Sequence, residues 1–159
     1  MEQVVGTDNC AEMLEVARGK ASAMAAGAGA KFSFQLAAAE QLGSALGDTS
    51  GFDAVVDTFG LCSYDDPVAA LRAMAQQCRP GGRLYLLQHG RGHYEFINNI
   101  LDRGAQQHAA KWGCFWNRDI LELVRQAGLR VVSAHRLHFG TTYWLICEPA
   151  DGEANAARK

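Results

Sequence analysis

The chain has 159 residues, 48% of them hydrophobic and 20% charged, which fits one globular domain with a single core. Its formal charge of −2 and pI near 6.2 give no broad cationic surface for phosphates, so a nucleic-acid partner is not expected. No run reaches the roughly 20 apolar residues of a membrane span, and the first residues lack the basic-then-apolar pattern of a secretion signal.

In chain order, Val4 and Val5 predict a short strand ending at Gly6-Thr7-Asp8. Cys10, Met13, Leu14, Ala17, Ala21 and Met24 then recur at helical spacing, with Asn9 and Glu12 placed as a capping box and Gly27 and Gly29 as the stop. Residues 32–36 predict a second strand, and residues 37–46 a short helix stopped by Gly47. Residues 52–59 read as a third strand, apolar on both faces at Ala54 to Val56 as if buried between helix layers. After a loop over 60–66, Pro67 suits the first turn of a helix carrying Val68, Leu71, Ala75 and Cys78, which Arg79-Pro80-Gly81-Gly82 should end. A fourth strand (83–88) and a helix over 94–108 with Phe96, Ile97, Ile100, Leu101 and Ala105 inward follow. Asn117 is expected to cap a further helix, and 129–137 and 141–147 to form an antiparallel hairpin through Gly140. The tail 151–159 is small and polar, which predicts mobility.

Strands alternating with helices and closing on a hairpin describe an α/β fold: a doubly wound, mostly parallel sheet with an antiparallel edge, over residues 1–150. Five scattered cysteines without a C-x-x-C pair predict reduced thiols, and neither they nor the histidine spacings suggest a metal site. Cys62 and Cys114 read as small buried residues, since nothing basic adjoins them along the chain.

Ligands of such sheets bind beyond the carboxyl ends of the strands, which singles out Asp8, residues 38–40, 58–63 and 88–93. Asp8, at a strand end beside a helix start, suits either a ribose diol or a plain cap. His89 lies just past a strand end and can serve as a general base, as a substrate-positioning group, or simply in a loop hydrogen bond. The aromatic stretch His108, Trp112, Phe115 and Trp116 reads either as an apolar lid or as ordinary packing.

Val5-Gly6-Thr7-Asp8…Met13-Leu14, Ala39-Glu40-Gln41-Leu42, Phe52-Asp53-Ala54-Val55-Val56, Leu61-Cys62-Ser63 with Pro67, and Arg79-Pro80-Gly81-Gly82-Arg83-Leu84 stand in order and at suitable spacing. Together they resemble the successive motifs of a class I S-adenosylmethionine-dependent methyltransferase. Leu61-Cys62-Ser63, Gln88-His89-Gly90 and Trp112-Gly113-Cys114 with Asn117-Arg118-Asp119 further resemble eukaryotic methyltransferase-like proteins, membrane- or mitochondrion-associated, that include thiol methyltransferases. The resemblance covers nearly all of residues 4–149. It implies S-adenosylmethionine as cofactor, with Asp8 on the ribose hydroxyls, Asn9 against the adenine, and Ala38, Ala39 and Glu40 along the adenine edge. Thr58, Phe59 and Gly60 would lie beneath the sulfonium, where Phe59 could make a cation–π contact or simply pack. Ala38 departs from the acidic residue often found there. Gln88 replaces a glutamate and would remove a charge from the substrate mouth.

In that family a first strand and glycine-rich turn precede the motif that begins here at Val4, so the resemblance is to an N-terminally truncated domain. Two strand edges would then be unpaired, inviting self-association that repairs the gap. The expected function is methyl transfer to a small, fairly apolar acceptor, a thiol or lipid-like ring, in a fragment that could itself be inactive. The alternative is a non-catalytic scaffold binding a protein partner; a nicotinamide-dependent oxidoreductase fits the 79–84 stretch and the terminal hairpin less well. The expected setting is intracellular, cytoplasmic or mitochondrial, with no targeting segment in this chain.

Overall fold

The computed structural model of the chain describes residues 3–28, 30–47 and 51–150. The element order is β1 (Gln3–Asp8), α1 (Ala11–Ala28), β2 (Lys31–Leu36), a 3-10 turn (Ala39–Gln41), α2 (Leu42–Leu46), β3 (Phe52–Thr58), α3 (Pro67–Gln77), β4 (Cys78–His89), α4 (Glu95–Trp112), α5 (Ile120–Gln126), β5 (Leu129–Leu137) and β6 (Thr142–Pro149). The expected tail, 151–159, and the helix-stop residue Gly29 lie outside the described residues.

The parallel β1–β2 pair forms one sheet, and β3-β4-β6-β5 forms another, with β3 parallel to β4 and the β5–β6 hairpin antiparallel. The doubly wound α/β expectation and its antiparallel end therefore hold. The edges of β1 and β3 that lie away from β2 and β4 carry no strand partner among the described residues. The reading of β3 as buried on both faces is corrected: Val56 is 68% exposed, and Ala54 on the same face is exposed too, so among the described residues that face of β3 is not covered.

The core gathers on the larger sheet. Leu84 and Leu86 of β4 and Tyr143, Leu145 and Cys147 of β6 alternate inward and meet Leu71 and Met74 of α3 and Ile120 and Val124 of α5. α3 begins as expected with Pro67 in its first turn, and Asp66 caps it by accepting from the Ala69 N–H at 2.9 Å. β4 starts at Cys78, so Arg79-Pro80-Gly81-Gly82 lies within the strand, at a register shift opposite Phe52 and Ala54.

The expected asparagine caps do not fall at the helix starts. α1 begins at Ala11, one residue later than a cap at Asn9 requires, and in the turn before it the Asp8 carboxylate accepts from the Cys10 N–H at 2.9 Å. Asp119 caps α5 by accepting from the Glu122 N–H, while Asn117 donates instead to Asp102. Within α1, Leu14 and Ala21 are buried, whereas Met13 and Met24 are exposed. α4 likewise leaves Phe96 and Ile100 in solvent and packs its Leu101–Gly104 segment against the Trp116 ring.

Candidate functional site

A cleft of about 540 Å³ opens at the carboxyl ends of β1, β2 and β3, between the two sheets. The strand ends converge because the Ala37 N–H donates to the Asp8 carbonyl at 2.9 Å, closing β2 onto β1. Of the eight residues implied as cofactor contacts, Asp8, Asn9, Ala38, Ala39, Glu40, Thr58 and Gly60 line this cleft. Phe59 does not. Its backbone takes a left-handed φ of 56°, uncommon for a non-glycine residue, and its ring stands 5.4 Å from that of His89.

The Asp8 carboxylate spends one oxygen on the Cys10 N–H, and no side chain or backbone donor among the described residues takes the other. Half of a bidentate acceptor is thus fixed by the start of α1, and half faces the cleft. That suits a diol. Glu40 is steadied on the same wall, accepting from the Asp66 N–H at 3.4 Å.

Sequence reasoning missed the polar floor of the cleft. Asp57, at the end of β3, is only 8% exposed, and it accepts from the Tyr64 hydroxyl at 2.8 Å and from Gln88 Nε2 at 2.7 Å. Burial pushes its carboxyl above the usual range, and those two hydrogen bonds only partly oppose the rise. The Tyr64 phenol is also pushed up, first by burial, then by the Asp57 charge and hydrogen bond, with Glu40 and Asp8 adding to the effect. Three carboxylates therefore act on one phenol, so the cleft is a negative well, fit for a cation.

Gln88 is wholly buried and does not stand at a substrate mouth, which corrects that expectation. Its amide also accepts from the Leu61 N–H at 3.2 Å, clamping the post-β3 loop to the end of β4. The same loop closes on the Gly60 carbonyl, which accepts from the Ser63 and Tyr64 N–H groups. A Cβ at Gly60 would collide with Asp57 and Tyr64. Arg118 completes the clamp by donating to the Leu61 and Tyr64 carbonyls at 2.6 and 2.8 Å.

His89 lies outside the cleft lining, with Nε2 2.9 Å from Cys114 Sγ. Cys62 joins them, the three ligand atoms lying within 4.8 Å of one another. A histidine thus adjoins both thiols through the fold, although nothing basic adjoins them along the chain. Burial would push the Cys62 thiol up, but hydrogen bonds from His89, Ser63 and Cys114 outweigh it and bring it down to about 7. Burial, then the neighbouring Cys62, pushes Cys114 up to about 12. The hydrogen bond with Cys62 raises His89 against the opposing effect of burial.

The aromatic stretch does not cover the cleft. Trp112 is 66% exposed, and His108 stacks on Trp116 at 3.9 Å while its Nδ1 meets the Cys114 carbonyl at 2.9 Å. Trp116 Nε1 donates to the Leu101 carbonyl, so these rings brace the turn after α4. No helix among the described residues is long and apolar enough to cross a membrane.

Residues 1–86 match the family described as "Methyltransferase domain". The chain is 44% identical over 97 residues to "Methyltransferase OMS1, mitochondrial" of Saccharomyces cerevisiae, covering 61% of this chain and 21% of that protein. It is 41% identical over 87 residues to the "Ubiquinone/menaquinone biosynthesis C-methyltransferase UbiE" of Bdellovibrio bacteriovorus, covering 55% of this chain and 34% of that one. The matches thus span about a fifth to a third of these relatives' own lengths. Among solved structures, an O-methyltransferase family protein from Burkholderia thailandensis superposes with a TM-score of 0.63 at 19% identity, over 95% of this chain and 44% of that one. LepI in complex with S-adenosylmethionine gives 0.64 at 11% identity, over 92% and 36%. At these identities the structural likeness speaks to the fold alone.

Proposed function

Because the chain belongs to the class I S-adenosylmethionine-dependent methyltransferases, we propose that its domain, residues 1–150, transfers a methyl group to a small, fairly apolar acceptor. S-adenosylmethionine, the cofactor of the family, supplies an activated methyl on a cationic sulfonium. Asp8 holds the ribose diol through its free carboxylate oxygen, with Asn9 and the Ala38-Ala39-Glu40 wall bordering the base. Thr58 and Gly60 lie beneath the sulfonium, and Phe59 faces the acceptor side. The negative well of Asp8, Glu40 and Asp57 favours the charged cofactor over the neutral product, which helps release after transfer.

Transfer of this kind is an in-line displacement that depends mainly on alignment. His89, beside the cleft and with its basicity raised by its neighbour, positions the acceptor or takes the proton it gives up. An apolar ring is the preferred acceptor over a thiol, supported by the name of the Bdellovibrio relative. A mitochondrial setting is supported by the name of the yeast relative. Self-association through the open edges of β1 and β3 belongs to the same reading. Family membership favours an enzyme over a bare scaffold.

The observation that carries this reading is the half-engaged Asp8 carboxylate in the cleft. Titration calorimetry with S-adenosylhomocysteine tests it. Binding to the full chain is expected, weakened about 10- to 100-fold in Asp8→Ala, as the loss of charge-assisted hydrogen bonds implies. A folded chain that takes up neither cofactor nor product contradicts it.

A further inference from the structure

We propose that Cys62, Cys114 and His89 form a binding site for one thiophilic metal ion, zinc by preference. Three separate segments supply the ligands: the loop after β3, the end of β4 and the turn after α4. Two thiolates and one imidazole are a known donor set for zinc with a fourth position left open, and soft sulfur donors select zinc or cuprous ions over hard cations. Two deprotonated thiols also balance a divalent charge, so the filled site is neutral apart from its surroundings. That matters here because Cys62 and Cys114 are both buried.

The spacing is close to what an ion requires. Tetrahedral bonds of about 2.3 Å to sulfur and 2.0 Å to nitrogen place the donor atoms roughly 3.5–3.8 Å apart. The three donor atoms already lie within 4.8 Å, and the Nε2···Sγ contact of 2.9 Å must open by about 0.6 Å to reach that spacing. The frame is built beforehand. The Phe115 N–H donates to the Cys62 carbonyl at 2.8 Å, tying the two cysteine-bearing loops together, and His108 holds the Cys114 carbonyl. Arg118 grips the loop on either side of Cys62 and lends positive charge near Cys114.

Loading follows ordinary thiolate chemistry: the ion enters, two S–H protons leave to solvent, and Nε2 gives its lone pair to the metal. An ion and a proton compete for that one nitrogen, so the proton-accepting role of His89 belongs to the metal-free chain. The remaining thiols supply contrast. Cys78 and Cys147 are each buried and pushed up to about 11 by that burial, and the half-buried Cys10 thiol donates to Glu12.

The test is titration of the reduced, chelator-treated full chain with cobalt(II), read by thiolate-to-metal charge transfer and tetrahedral d–d absorption, then displacement by zinc. One equivalent per chain is expected, with the signal lost in Cys62→Ser and Cys114→Ala and retained in Cys10→Ser. Should the variants fold poorly, alkylation of the wild-type chain with and without zinc, mapped by mass spectrometry, decides. Protection confined to Cys62 and Cys114 supports the site. No charge-transfer band in the folded chain, a signal that follows Cys10, or equal labelling with and without zinc overturns it.

Discussion

The two sheets of this protein are unequal, and the candidate site straddles them. On the larger sheet β4 and β6 alternate buried and half-buried residues, and the contiguous core runs from Leu42 to Cys147. The β1–β2 pair has no fully buried residue, and α1 contributes only Leu14 and Ala21 among its described side chains. The 3-10 turn and α2 that follow β2 place Ala39, Leu42 and Leu46 on the main core. The carboxylate proposed for the ribose thus sits on the lightly packed half, and the Asp57–Gln88–Tyr64 floor on the heavily packed one. Local stability follows such differences in burial, so cofactor capture and active-site rigidity come from different parts of the chain.

The largest effect expected from breaking this contrast is in the larger sheet. Leu86→Ala, at a side chain 1% exposed, should cost about 2–5 kcal/mol in denaturant unfolding. Leu14→Ala should instead accelerate hydrogen exchange of the β1 and β2 amides while leaving β4 unchanged; equal acceleration in both sheets contradicts the partition. Next in size, Asp8→Ala should show its 10- to 100-fold loss of cofactor affinity with only about 1 kcal/mol lost from the start of α1, separable by calorimetry and thermal melting.

The floor gives a pH-dependent prediction. A carboxyl whose folded pKa is raised keeps its proton better in the native state, so Asp57 favours folding at low pH. That contribution is lost as pH rises from its unfolded value near 3.8 through the higher folded one. Gln88→Glu places a second carboxyl against Asp57, and the pair should share a proton and steepen the decline of stability toward neutral pH. Urea midpoints over a pH series read both. The smallest effect is at the open edge. Val56→Lys should change monomer stability by no more than about 0.5 kcal/mol yet reduce self-association in sedimentation velocity, because a lysine blunts an exposed strand.

Much of the fold was legible because hydrophobic spacing and punctuation agree along the chain: Pro67 opens α3, Gly128 follows α5, and Gly140 turns the hairpin. Caps were less legible. Asn9 and Asn117 have the right chemistry, but α1 starts one residue after the position Asn9 would cap, and Asp119, not Asn117, takes the Glu122 N–H of α5. The cleft wall could be read from strand ends, since a parallel sheet brings those ends to one side whatever the loops do. The floor and the thiol–imidazole cluster could not. Asp57 and Gln88 are 31 residues apart and His89 and Cys114 are 25 apart, and only strand register and the turn after α4 bring them together. Gln88 was misplaced for a related reason: residues alternate faces along β4, and this one turns inward onto Asp57.

A crystal structure of the chain with S-adenosylhomocysteine tests the central claim most directly. The account predicts the nucleoside between the two sheets, with both ribose hydroxyls within hydrogen-bond reach of Asp8 and the sulfur above Thr58 and Gly60. A nucleoside bound away from this cleft, or one seated there with Asp8 turned from the sugar, contradicts it.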